Sequence, residues 1–254
     1  MSDDVGRDVP IRRPVRRVVS LVPSLTEAIA ATCPDVLVGA TDWCTHPADL
    51  DVERVRGTKN PNRAAIEALD PDLVIANQEE NRELDVRRLH DAGVPVWVTR
   101  IETLDEAFTS MRRVFSEALG HDVPSWLADA ERAWSEPASP RGTVAVPIWR
   151  DPWMVVGPRT FTTDLLRRLG WHNIFDEDAA QGDVARYPHV EVADIDRDDV
   201  DLVLLPDEPY VFTADDGPEA FGTAPTQLVS GRLLTWYGPS LVQAQEQLPR
   251  PSTR

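Results

Sequence analysis

Val18-Val-Ser-Leu-Val-Pro-Ser-Leu-Thr-Glu27 opens with an apolar run rich in β-branched residues and passes through a proline into the spacing of a helix start. Residues 18–22 read as a buried strand. Ser24 and Glu27 have the interval of a capping box ahead of residues 28–31, since a serine hydroxyl accepts from the N–H three residues on while the glutamate reaches back. The stretch predicts strand, turn and helix, the elementary step of an α/β fold.

Outward from it the step repeats. Residues 36–41 read as a second strand, 62–69 as a helix, and 73–76 as a buried strand introduced by Asp70-Pro-Asp72. Residues 81–92 form a helical pattern stopped at Gly93, and 94–99 the next strand. Thr103 and Glu106 repeat the capping-box spacing, and Leu104, Ala107, Phe108, Met111, Val114, Phe115 and Leu119 keep a helical period as far as Gly120. A further helix over 124–134 precedes Glu136-Pro-Ala-Ser-Pro140, which reads as a linker. Beyond it come a strand at 143–149, a helix at 160–169 ending at Gly170, and a strand at 202–205.

Two alignments tie the halves together. Asp72-Leu-Val-Ile-Ala-Asn77 and Asp201-Leu-Val-Leu-Leu-Pro206 lie 129 positions apart, and the opening strands at Val18 and Val144 lie 126 apart. So constant an offset predicts two lobes of similar architecture. The expected fold class is α/β, with two Rossmann-like lobes: residues 1–101, a linking backbone-helix region at 102–140, and residues 141–254.

Composition narrows the function. With 254 residues, 42% hydrophobic and 27% charged, the chain can bury a core in each lobe and belongs neither with disordered nor with membrane-spanning chains, so no membrane insertion is expected. A net charge of −17 argues against nucleic acid, whose affinity comes from Lys and Arg neutralising phosphates. Cys33 and Cys44 have neither CxxC nor paired-histidine spacing, so no structural metal site is expected. The residues before Arg17 hold no signal-peptide apolar run and no lipid-bearing cysteine, which points to the cytoplasm. With no GxSxG, GxGxxG or Walker loop, no enzyme is expected and no catalytic residue is assigned.

Ligands of open α/β sheets sit outside the carboxyl ends of the strands, and two lobes facing each other are expected to share a crevice there. The candidate ligand-binding residues in those loops are Trp43, His46, Lys59, Asn60, Asn77, Glu79, Glu80, Trp149, Trp153, Tyr187, Tyr210 and Trp236. Trp and Tyr offer stacking area with one polar handle at little entropic cost. Asn77-Gln-Glu-Glu-Asn81 sets two carboxylates after a strand, where they could touch a ligand or simply favour a helix start. His46 and His189 could meet a bound metal from opposite lobes; the metal ligands stay open. An alternative, an enzyme or accessory protein of cofactor processing, would use Glu79, Glu80, His46 and Cys44 in the same crevice.

Residues 18–27, Gly57-Thr-Lys-Asn-Pro-Asn62, Leu69-Asp-Pro-Asp-Leu-Val-Ile-Ala76 and Asn173-Ile-Phe175 together resemble the periplasmic-binding family for cobalamin and ferric siderophores of ABC importers. The resemblance covers nearly the whole chain and is strongest in the first lobe. It implies a class III substrate-binding fold, a helical backbone joining the lobes, no intrinsic cofactor, and a metal chelate such as cobalamin as the bound small molecule. It puts Trp43 at a stacking position and Tyr187 at a second-lobe tryptophan, while Thr58 and Asn77 stand where cobalamin binders carry further tryptophans. It also implies one docking glutamate on each lobe for the permease. Ala64 and Ala193 occupy those positions, so delivery to a transporter is not expected, although the family is usually periplasmic or cell-surface.

Overall fold

Val18, Val19 and Ser20 are all fully buried, as a strand must be when helices cover both faces of a parallel sheet. A computed structural model describes residues 1–176 and 185–251. They divide into two compact units: Met1–Ile101 with Asp105–Asp129 and Tyr237–Pro239, and Glu102–Leu104 with Ala130–Trp236 and Ser240–Arg254.

The first unit's strands are β1 (Val18–Ser20), β2 (Leu37–Ala40), β3 (Glu53–Arg54), a short antiparallel ribbon of β4 (Arg56–Gly57) and β5 (Asn60–Pro61), β6 (Leu73–Asn77) and β7 (Val96–Thr99). The parallel sheet runs β3-β2-β1-β6-β7. Alternation sorts its side chains: Val19, Leu21, Val74, Ala76, Val96 and Val98 join one core with Ile66 of α2 (Arg63–Ala68) and Val86 and Leu89 of α3 (Glu83–Asp91). Trp97, one position out of phase, meets the guanidinium of Arg113 on α4 (Leu104–Arg113) at 5.0 Å from the ring centre.

The first helix, α1 (Pro23–Thr32), corrects the capping-box expectation. Pro23 is its first residue and Val22 its cap, without a side-chain hydrogen bond, so Ser24 lies inside the helix. Proline suits that position because its missing N–H would be unpaired there. Asn62 caps α2 through its side chain, 3.3 Å from the Ala65 N–H. Helix α4 widens into a π turn at Val114–Leu119 and ends on Gly120, whose φ of 74° is left-handed; α5 (Ser125–Ala133) follows Pro124. The two helical stretches read on either side of Gly120 are thus both present in the linking region.

The second unit adds β8 (Gly142–Ala145), β9 (Pro147–Trp149), β10 (Met154–Val155), α6 (Phe161–Leu169), β11 (Trp171–Asn173), α7 (Val192–Ile195), β12 (Leu202–Pro206), β13 (Thr226–Val229), α8 (Gly231–Thr235) and α9 (Ser240–Gln247). Its parallel sheet runs β11-β8-β12-β13. The strand expected at 143–149 is two strands. Val146 turns its carbonyl to Val156, and Pro147 has no N–H for the parallel ladder, so β9 leaves to pair antiparallel with β10.

The predicted internal similarity is present in the register. Val18 pairs with Leu73 and Val144 with Leu202, positions related by the offsets of 126 and 129. Asp72 anchors the first pair by accepting from the Arg16 and Arg17 N–H groups at 2.8 and 2.9 Å, and Asp201 does the same for the Thr143 N–H at 2.8 Å. An aspartate ahead of a Leu-Val strand therefore ties down the entrance of its neighbour twice in one chain.

The open edge of β7 is closed by the amino-terminal segment. Asp4 N–H donates to the Val98 carbonyl at 3.2 Å, the buried Asp3 carboxylate accepts from Val98 N–H at 3.3 Å, and Asp4 accepts from Arg100 N–H. Unpaired strand edges recruit other strands unless something covers them. Asp3→Ala, which also orphans the Val5 and Arg7 N–H groups, should cost about 1–3 kcal/mol in urea unfolding and favour self-association on gel filtration. Unchanged stability and a monomeric profile would show that the segment is only a passenger.

Candidate functional site

In the first unit the strand order reverses between β1 and β6, and the loops leaving those strands define the face where an open α/β sheet takes its ligand. Asn81 joins them. Its carboxamide oxygen accepts from Asn77 N–H at 2.9 Å, and its Nδ2 donates to the Leu21 carbonyl at 3.2 Å and the Thr58 carbonyl at 2.9 Å. Asn77 is equally committed. Its Oδ1 accepts from Glu79 and Glu80 N–H at 2.8 and 3.1 Å, while Nδ2 reaches the Thr99 carbonyl and hydroxyl.

This network presents Glu79 and Glu80. Lys59, on the β4–β5 ribbon, donates from Nζ to the Glu79 carbonyl oxygen. Burial raises the Glu80 pKa, the neighbouring Glu79 adds to it, and Lys59 opposes it. Tyr237 enters this unit from the far end of the chain and is buried beside Ser24; burial and the Glu80 charge hold its hydroxyl well above the usual phenol range. Trp43 follows β2 and is 65% exposed. Its indole lies over Gly57, where a β-carbon would come within 3.2 Å of Nε1 and 2.5 Å of Asn60 Oδ1, so a side chain there would displace the Asn60 carboxamide and crowd the indole.

The equivalent face of the second unit lies beyond β8 and β12. Trp149 ends β9, is 45% exposed, and meets Tyr210 edge to face at 5.6 Å. Tyr210 donates its hydroxyl to Asp216 at 2.7 Å, and Arg150 pairs with the same Asp216, with Glu219 at 2.6 Å and with Asp151 at 3.4 Å. The hydrogen bond from Arg150 holds the Glu219 carboxyl below its usual range. Arg150 also lies over the Trp153 ring at 5.4 Å.

The structure sorts the predicted residues by burial. Trp43, His46, Lys59, Asn60 and Trp149 are exposed, and Glu79, Glu80, Tyr187 and Tyr210 half-buried. Trp153 is a core residue, stacked on Phe212 at 5.9 Å and edge-on to Phe221 at 5.4 Å. Trp236 is also buried, and Asn77 and Thr58 are internal. Tyr187 lies in a segment whose Arg186 and Pro188 carbonyls accept from Gly157 and Val155 beside β10. His46 meets Thr45 Oγ1 at 3.2 Å, and His189 is exposed. The Cys44 thiol, pushed up by burial and bonded to Thr26 and Thr41, is not a poised nucleophile. Sequence reasoning missed Arg150, although it sits in the loop that held Trp149, and missed the hub role of Asn81.

Each unit also holds a cavity away from these loops. One of about 320 Å³ is walled by groups already paired with one another, among them Asp4, Arg100, Glu106 and Arg113. The other, of about 450 Å³, lies at the amino-terminal edge of the second sheet beside Gly142, Trp171, Asp201 and Pro249. Among the described residues no His, Cys, Asp and Glu side chains cluster as a metal site.

No family model matches the chain. It is 27% identical over 193 residues to the vitamin B12-binding protein of Vibrio parahaemolyticus, covering 72% of this chain and 67% of that one. It is 29% identical over 203 residues to the ABC transporter substrate-binding lipoprotein YvrC of Bacillus subtilis, covering 70% and 64%. The crystal structure of the periplasmic vitamin B12 binding protein of Vibrio cholerae shares the fold with a TM-score of 0.72 at 20% identity, covering 92% of this chain and 95% of that one.

The Glu80 carboxyl gives a pH test. With its folded-state pKa raised, the ionised form costs stability in full above the folded value, and the cost is gone once pH falls below the unfolded value. Glu80→Gln should therefore raise Tm at neutral pH, with the gain shrinking to nothing as the pH falls through the ordinary carboxylate range. A gain independent of pH in thermal melts would mean that the strain is not electrostatic.

Proposed function

As a homologue of ABC-importer substrate-binding proteins with their α/β fold, this chain is, we propose, a solute-binding protein that holds a metal chelate of the corrinoid, haem or siderophore type. The observation that carries the reading is the placement of the exposed indoles. Among the described residues only Trp43 and Trp149 are exposed aromatics; Trp43 follows β2 of the parallel sheet, and Trp149 ends β9, which leaves the carboxyl end of β8. A buried indole there would be core; an indole left in water beside a ring of fixed polar groups is an anchor awaiting an apolar or planar partner. Tyr187 and Tyr210 are the second unit's polar-handled aromatics, and Glu79, Lys59 and Asn60 the first unit's rim.

The homologues are binding proteins rather than enzymes, and the buried, hydrogen-bonded Cys44 thiol removes one of the four groups the enzymatic alternative would use. No helix among the described residues is long and apolar enough to cross a membrane. Delivery to a permease is a separate matter. Ala64 on α2 and Ala193 on α7 are exposed where the resemblance places docking glutamates. We infer weak docking, and stimulation of a cognate importer's ATPase by the unmodified protein would refute it.

Visible absorbance of the purified protein, titrated with cyanocobalamin, haem and a ferric siderophore, tests the main reading. Truncating an aromatic anchor commonly costs about 2 kcal/mol, or roughly thirty-fold in affinity. Trp43→Ala and Trp149→Ala should each weaken binding on that scale, Tyr187→Ala somewhat less, and Glu79→Ala least, because solvated carboxylates contribute little. If Glu79→Ala abolishes binding while both indole variants keep it, the ligand is polar and the stacking reading is wrong.

A further inference from the structure

Three cations on these two faces, Arg54, Lys59 and Arg150, are already engaged by the protein, and that bears on which chelates can bind. Arg54, behind Trp43, donates to the carbonyls of Thr41, Cys44 and Leu50 at 3.0, 2.9 and 3.1 Å. Lys59 is held on the Glu79 carbonyl with the Glu79 and Glu80 carboxylates beside it. Arg150 is enclosed by Asp151, Asp216 and Glu219, with only 19% of its side chain exposed. Lys59 thus has two carboxylates beside it and Arg150 has three, on a chain of net charge −17.

An incoming carboxylate would find no guanidinium fork presented to it by these three residues, and would approach like charges, which raise its energy at close range. Resting on the reading of these faces as the ligand surface, we propose that each face selects against chelates with net negative charge. A neutral or cationic metal macrocycle is held, a dicarboxylate one is rejected, and Glu79 and Glu219 are the specificity-determining charges. Amide side chains on a ligand fit such a rim, because they donate hydrogen bonds to carboxylates without bringing negative charge. Arg56, exposed on β4 and outside both carboxylate clusters, is the control for removing a charge from the first face.

The test separates charge from shape. Ferric protoporphyrin IX and its dimethyl ester share the metal and the ring, and differ in two carboxylates; cyanocobalamin is the amide-bearing neutral reference. Titrated into the full chain and followed by the Soret band and tryptophan quenching, the ester should bind about tenfold or more tighter than the free acid. The gap should narrow in salt of about 0.5 M, and in the Glu79→Gln/Glu219→Gln variant, while Arg56→Gln leaves it unchanged. Free acid binding as tightly as the ester, or a gap that the double variant does not move, overturns the charge selection while leaving the chelate reading intact. If neither porphyrin nor the corrinoid binds, the proposed function itself falls and takes this inference with it.

Discussion

Parallel strands end in backbone groups that no neighbour can pair, and at the carboxyl end of β6 the amides of Asn77 and Asn81 supply the missing partners. A carboxamide suits the place because it both accepts and donates in one plane, which neither a carboxylate nor a hydroxyl of similar reach can do. Through Asn81 the end of β1, the Thr58 turn and the end of β6 become one rigid rim. The position of Glu79, Glu80, Lys59 and, through Gly57, the Trp43 indole all follow from it. In the second unit Asn173 plays a related part, donating to Val156 and Thr163 and accepting from Phe175.

Much of this architecture was legible in the sequence because the physics behind it is local or periodic. The strand at residues 73–76 sits in the structure almost as read, since four consecutive apolar residues flanked by Asp-Pro-Asp leave little else to form. The 126 and 129 offsets translate into identical strand pairing because a register slip would turn buried side chains toward the other face. Where the reading failed, distant residues decided. β13 has half-exposed Thr226, exposed Gln227 and Leu228, and no apolar run, so only its ladder with β12 reveals it. Ser24 has the spacing of a cap, but Pro23 takes the first helical position and moves the start upstream.

The aromatics show the same limit more sharply. Trp43, Trp149, Trp153 and Trp236 all follow strands or turns in the sequence, and nothing in their neighbours separates the exposed pair from the buried pair. Trp153 goes inward because Phe212 and Phe221, about sixty residues away, close over it. Asn77 was legible as a polar residue at a strand end, but its commitment to the backbone of Glu79, Glu80 and Thr99 was not.

The two units share a scaffold and differ in how each stiffens its face. The first uses buried amides, whose loss would leave unpaired backbone groups, so its geometry and its stability are coupled. The second uses the partly exposed Arg150 with three carboxylates, an arrangement that contributes little to stability in solvent but fixes direction, since a planar guanidinium holds Asp216 and Asp216 holds the Tyr210 hydroxyl. Tyr210 in turn stands edge-on to Trp149. The Arg150 cluster can therefore change its residues with modest effect on folding, whereas the buried amides cannot. Chemistry that varies between relatives of this fold is accordingly easier to accommodate at Trp149, Tyr210 and Glu219 than at Asn77 and Asn81, and the loops, rather than the sheets, carry the choice of ligand.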